Sequence, residues 1–321
     1  MPDLKASMKN GLQAIKASEI FRDTKRVAIK VNLGGGIHGI LSSYTDPHLL
    51  DGLLSWLKKQ KKDVFVCEAD MRGHEITSNL LRIRNYFPVL KKHNVPFVNL
   101  SHLTPVSFRV KGVPMPLNVP YELLLPDTKI ISFAPPKHHW ECGITCSQKN
   151  MYGALSDFDK SKFHRHYSLI DLVVAAAARI MRPALSIIAT KQLGAGMGPH
   201  FCVPINFYRA VFARDMLACD QFCAEILGYP AEEVLYHKIN KQNTKVHYEL
   251  LPNSTRIPTR TLKKIYANRI PPSKVKKEKD LLWLQYFLPS TLQFKYYHYL
   301  EGILTWINKK FYLPRGELPL F

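Results

Sequence analysis

The feature that most restricts the fold is a series of short apolar runs, each ending in polar residues and followed by a stretch with helical spacing. The first, RVAIKVNL at residues 26–33, has the β-branched, unbroken apolar character of a strand buried on both faces. DVFVCEAD (63–70), TKIISFAP (128–135) and LSIIAT (185–190) repeat it. Between them lie DPHLLDGLLSWLKKQ, introduced by Thr45-Asp46-Pro47 as N-cap and first-turn proline, and SLIDLVVAAAARIM. The strand NFYRAVFARD and the helix MLACDQFCAEILG close this part. Such alternation predicts an α/β, three-layer fold, with a mostly parallel sheet flanked by helices.

This main domain is expected over residues 1–252. Residues 253–280 hold nine Lys/Arg against two Asp/Glu and contain Pro271-Pro272, the composition of an exposed basic linker or arm. Residues 281–321 turn aromatic and basic, which predicts a helical C-terminal extension, docked on the domain or lying as an amphipathic helix on a membrane surface. The N-terminus has no apolar signal core, and no apolar stretch reaches the ~18–20 residues of a membrane span. The expectation is a cytoplasmic protein, peripheral to a membrane at most through that extension.

A formal charge of +20 favours anionic partners. These are a small carboxylate- or phosphate-bearing substrate, an acidic carrier protein or a membrane surface. No nucleic-acid module accompanies the charge, so nucleic acid is not expected. Cys67, Cys142, Cys146, Cys202, Cys219 and Cys223 read as reduced cysteines rather than a disulfide framework. Without a ferredoxin-type CxxCxxC run, no iron–sulfur cluster is expected. His138, His139, His164 and His166 could meet around a metal, but no carboxylate-backed spacing such as HExxH supports one. No metal ligand is assigned, and the cofactor stays open.

Ligands of open α/β sheets bind beyond the carboxyl ends of the strands. The residues so placed are Lys30 and Asn32, Gly35 and Gly36 in the loop 34–39, Glu68, Gly196 and Gly198, and Asp215, which reads as a helix N-cap or a site residue. Loop 34–39 formally satisfies GxGxxG, but the next helix opens only near Asp46 and Glu68 lies too far on for the ribose-binding acid. A loop whose bare backbone admits an anion is the better reading. The densest signal is SFAPPKHHWECGITCSQKNMYG (132–153), with Lys137, His139, Lys149 and Asn150 as catalytic candidates. Lysines near a strand end can clamp an anion, or lose a proton on burial and act as bases, and histidines there can shuttle protons. His164 and His166, just ahead of the next helix, join the substrate-binding set.

These segments resemble the domain-of-unknown-function 362 family. The likeness is carried by Lys30-x-Asn32, Thr45-x-Pro47, Pro135 with Lys137 and His139, and Lys149-Asn150-x-x-Gly153. His164 or His166, Gly196-x-Gly198-Pro199, Asp215 with Asp220, and Leu227-Gly228 complete it over residues 26–239. The resemblance implies that these positions act together. Many members carry ferredoxin-like cluster motifs, which implies redox chemistry in some. This chain has none, so a redox role would need an external donor or cofactor. Lys191 and Ala195 stand where acids of the second glycine turn are expected, which removes support for a metal or acid role there. The opening also looks, more distantly, like the front of lactate-racemase-type proteins.

The resulting expectation is an enzyme acting on a small anionic metabolite, as in a tailoring step of specialised metabolism. Lys30, Asn32 and Lys149 would hold the anion, Lys137 and His139 would move protons, and Asn150 would orient a carbonyl or hydroxyl. Proton transfer of the lyase or isomerase kind and cofactor-assisted redox both suit these groups. The alternative is a non-catalytic scaffold that engages an acidic carrier protein or a membrane through its basic face.

Overall fold

A computed structural model of the chain describes residues 4–34, 40–71, 75–139, 141–158, 160–164, 167–199, 201–242, 245–252 and 254–269. Among these residues the strands are β1 (Arg26–Lys30), β2 (Asp63–Glu68), β3 (Phe97–Asn99), β4 (Pro105–Phe108), β5 (Leu117–Pro120), β6 (Thr128–Ala134), β7 (Lys137–His139), β8 (Gly143–Thr145), β9 (Leu185–Met197) and β10 (Phe201–Ala213). Parallel pairing runs β3-β2-β1-β6-β9. The chain therefore steps outward from β1 through β2 to β3, then returns to the other side of β1 with β6 and β9. The order reverses between β1 and β6, the kind of switch point beyond which ligands of open α/β sheets bind.

β9 carries two partners in succession along one edge. Its first residues pair with β6, and Gly194 then pairs with Lys137 of β7, which follows β6 across Pro135-Pro136. β7 turns back into β8, and β10 pairs antiparallel along the other edge of β9. β4 and β5 form a separate small sheet. The parallel core agrees with the alternation in the sequence. The turn expected after LSIIAT is instead strand as far as Met197. Glycine lets this strand approach its neighbours closely. A Cβ on Gly194 would sit 2.6 Å from Cys202 Sγ, and one on Gly198 would sit 2.0 Å from the His138 carbonyl oxygen.

Alternation along the strands makes two apolar faces. Val27, Ile29, Val66, Ile131 and Phe133 pack with Leu50, Leu53, Leu54 and Leu57 of the helix Pro47–Lys59. Ala28, Phe65, Cys67, Ile130 and Ala134 pack on the opposite side with the helices Tyr167–Met181 and Met216–Ile226. These are the predicted three layers. Asp46 caps Pro47–Lys59 by accepting from the His48 N–H at 2.8 Å, as its Thr-Asp-Pro start suggested. All six cysteines are buried and free.

The basic segment after residue 252 is exposed at most of its described positions and is anchored at a few. Its helix Thr259–Ala267 puts Ile265 fully in the core, while Arg269 pairs with Glu233 and lies 4.8 Å from the Tyr229 ring. The aromatic extension expected over 281–321 lies outside the described residues. Among the described residues, no helix is long and apolar enough to cross a membrane.

The helix Ser147–Tyr152 is buried at every residue and is held at its N-terminus by Asp220, which accepts from Ser147 N at 2.7 Å and Gln148 N at 3.0 Å. Burial pushes the Asp220 carboxyl up to about 7 in spite of those bonds. Replacing Asp220 with Ala leaves two buried backbone N–H donors, and one N–H of the Gln148 side chain, without that acceptor. Urea unfolding should then show a loss of about 2–4 kcal/mol, at about 1–3 kcal/mol per orphaned group before relaxation.

Candidate functional site

Charged side chains converge where the carboxyl ends of β1 and β6 part. Lys30, the last residue of β1, is fully buried and pairs with Glu68 Oε1 at 2.5 Å. Its Nζ also donates to the Val31 carbonyl at 2.8 Å and Asn150 Oδ1 at 3.2 Å. Glu68 in turn accepts from the N–H groups of Leu33 (3.0 Å) and Ala69 (3.1 Å). Gly153 passes directly over the pair, where a Cβ would lie 2.8 Å from Lys30 Nζ. Lys30 and Glu68, expected to bind substrate, satisfy each other.

Asn32 and Asn150 extend this network. Asn32 Nδ2 donates to Asn150 Oδ1 at 3.2 Å, and Asn150 Nδ2 donates to the Lys30 carbonyl (2.9 Å) and Ser132 Oγ (3.1 Å). The two donors and two acceptor positions of the Asn150 amide are therefore all used within the protein. It locks the helix Ser147–Tyr152 to β1 and β6 and has nothing spare for the substrate carbonyl assigned to it above. Thr45 ties the Asn32 backbone: Asn32 N donates to Thr45 Oγ1 (2.8 Å), and that hydroxyl donates to the Phe133 carbonyl (2.7 Å).

Lys137 enters from β7. Its Nζ donates to Asn32 Oδ1 at 2.8 Å and to the Ser43 carbonyl at 2.5 Å, both neutral acceptors. Burial lowers its pKa to about 7, with Lys149 and Arg84 adding to the effect. A neutral amine has two hydrogens and one lone pair. The two acceptors take the hydrogens, which leaves the lone pair for another partner.

His139, next but one on the same strand, is held differently. Its Nδ1 accepts from the N–H groups of Glu141 and Cys142, each at 3.2 Å, which puts the ring proton on Nε2. Burial, reinforced by Lys149, keeps it well below the usual imidazole range. It is a neutral hydrogen-bond donor rather than the proton shuttle expected from sequence. Lys149 is 8 % exposed, with its Nζ 5.0 Å from the Tyr152 ring centroid. Among the described residues its ammonium has no carboxylate or hydrogen-bond partner.

Other expectations resolve more plainly. His138, pointing to the other side of β7, bonds the Leu227 carbonyl through Nε2 at 2.9 Å and accepts from Gly196 N at 2.9 Å through Nδ1. Gly196, at φ 86°, and Gly198 thus serve strand packing. Among the described residues, no three His, Cys, Asp or Glu side chains come together in a way that could hold a metal ion. Asp215 is exposed and caps the helix Met216–Ile226. It follows β10, which runs antiparallel, so it lies at the opposite end of the sheet from Lys30 and Lys137. Gly35, Gly36 and His166 lie outside the described residues.

Several contributors carried no motif. Lys160 is 2 % exposed, donates to the Asp70 carbonyl, and is lowered by burial to about 8. Arg84 donates to the carbonyls of Leu33 (2.7 Å) and Gly34 (3.0 Å) and fixes the chain leaving β1. Glu141 and Tyr152 both bond His164, at 2.6 Å and 3.0 Å.

A parallel α/β sheet with a lysine-rich cluster at its switch point defines the class. The family model for Domain of unknown function (DUF362) matches residues 27–225, well over half of the chain. The chain belongs to the domain-of-unknown-function 362 family. A comparison with curated proteins finds no match.

The buried state of Lys137 sets a pH dependence for stability. Its folded pKa of about 7 lies below the ordinary 10.5, so folding expels a proton between those values. The penalty is complete below about 7 and fades as pH rises towards 10.5. Urea unfolding of the wild type and Lys137→Met at about pH 6 and about pH 9 should show the wild type gaining relative stability at the higher pH.

Proposed function

We propose that the protein is an enzyme that binds a small carboxylate- or phosphate-bearing metabolite and moves protons on it. The observation that carries this reading is Lys149. Lys30 has Glu68, whereas Lys149, whose side chain is largely covered, has no anion of its own among the described residues. A cation at the end of a largely covered side chain is placed to take an anion, and a substrate carboxylate or phosphate would supply the missing partner. The Nε2–H of His139 offers a neutral donor in the same field, suited to an oxyanion because it can polarise without first giving up its proton. Lys137, close to neutral at physiological pH, has the proton affinity a general base needs. Lys30, Asn32, Glu68 and Asn150 position these groups rather than touch substrate.

The reading is tested by calorimetric binding of a panel of small carboxylates and phosphate monoesters to the full chain. Lys149→Met should weaken binding about tenfold or more, the scale of a lost charge-assisted hydrogen bond. Arg256→Glu with Arg260→Glu, on the exposed basic segment, should leave it within about twofold. For any ligand that is turned over, Lys137→Met should lower kcat by about 10²–10⁴. The reverse pattern, with binding lost in the Arg256/Arg260 variant and kept in Lys149→Met, would favour the scaffold instead.

A further inference from the structure

A carboxylate, an imidazole and a phenol stand in line beside Lys149. Glu141 Oε2 lies 2.6 Å from His164 Nδ1, with the two side chains 1 % and 8 % exposed. His164 Nε2 lies 3.0 Å from the Tyr152 hydroxyl, and the Lys160 carbonyl is a second acceptor for that hydroxyl at 3.2 Å. An ionised carboxylate only accepts, so a neutral His164 carries its proton on Nδ1 and takes the phenol proton at Nε2. Tyr152 and Lys149 are three residues apart on one buried helix, with the ammonium over the ring. A phenol that only fills space needs one acceptor. This one is aimed at a carboxylate-backed imidazole and has a cation beside it, so a proton can pass through without stranding charge.

We propose that Tyr152 is a proton-transfer residue of the Lys149 site, with His164 and Glu141 as its positioning residues. The proposal rests on the reading of Lys149 as an anion-binding group. In the forward step a bond to hydrogen in the substrate breaks, and its proton goes to Tyr152 Oη as the phenol proton passes to His164 Nε2. The electron pair stays on the substrate, near Lys149 and the Nε2–H of His139. The new imidazolium is balanced by Glu141, and reversal returns the proton. Nothing is oxidised or reduced. With Lys137 as a second proton-transfer group, one group takes a proton and another returns one. That is the requirement of isomerisation or elimination on an anionic substrate.

The test uses the full-length protein labelled with ¹⁵N-histidine, titrated with sulfate and with acetate as anion probes. His164 signals are identified by their loss in His164→Gln. The wild type should bind a probe and shift the His164 ring nitrogens as it does so. Tyr152→Phe should bind the probe within about twofold of wild type while its His164 Nε2 no longer responds, and Glu141→Gln should displace the Nδ1–H signal. Lys149→Met should lose about tenfold or more in affinity. Probe binding by the wild type with unmoved His164 signals overturns the relay alone and leaves the anion site standing. Tyr152→Phe weakening binding as much as Lys149→Met overturns it too, by making Tyr152 an anion ligand. Wild type that binds neither probe overturns the anion reading and the relay together. The wild-type titration decides the matter even if Tyr152→Phe does not fold.

Discussion

A lysine at the end of a central, doubly flanked strand has to be neutralised, and the Lys30–Glu68 pair at 2.5 Å does so between neighbouring strands. Much of the site is built on that requirement. Glu68 also collects the N–H groups of Leu33 and Ala69, so one carboxylate directs the chain leaving both β1 and β2. Gly153 is bare because the pair occupies the space of its side chain. Asn150 is drawn onto Lys30 and Asn32, which brings the helix Ser147–Tyr152, and with it Lys149 and Tyr152, to the switch point of the sheet.

This arrangement divides the polar residues into those that satisfy one another and those left with unmet capacity. Lys30, Glu68 and Asn150 belong to the first kind, since their hydrogen bonds are met within the protein, and Asn32 links them to Lys137. Lys149, the lone pair of Lys137 and the Nε2–H of His139 belong to the second. Low polarity around them raises the stakes of every interaction, and the burial that lowers Lys137 to about 7 also holds His139 neutral. The same burial raises Asp220, so the anchor beneath the helix and the groups above it feel one physical cause with opposite signs.

The parallel sheet was legible because the strands from Arg26, Asp63, Thr128 and Leu185 each announce themselves by a short apolar run with helical spacing between. Lys30, Asn32, Lys137 and Lys149 were legible as a group because they fall at strand ends or just beyond. Their roles were not. Asn150 reads as a substrate-orienting amide until its four bonds are seen, and His139 reads as a shuttle until Glu141 N and Cys142 N are found on its Nδ1. Of the two readings of Asp215, the helix cap holds and the site role does not, because a strand's direction is not written in its residues: β10 is antiparallel, which sends its end to the far side of the sheet. Glu141, Tyr152, Lys160 and Arg84 had no spacing to mark them.

By itself, the sequence determined the layered α/β order and the positions where polar groups meet the ends of buried strands. Both follow from local rules: side-chain period, caps, and the reach of a strand before its chain must turn. Only the tertiary structure decided which of those polar groups are satisfied and which are not. Satisfaction depends on partners far along the chain, as with Lys30 and Asn150 or Glu141 and His164, and on a burial that no single segment produces.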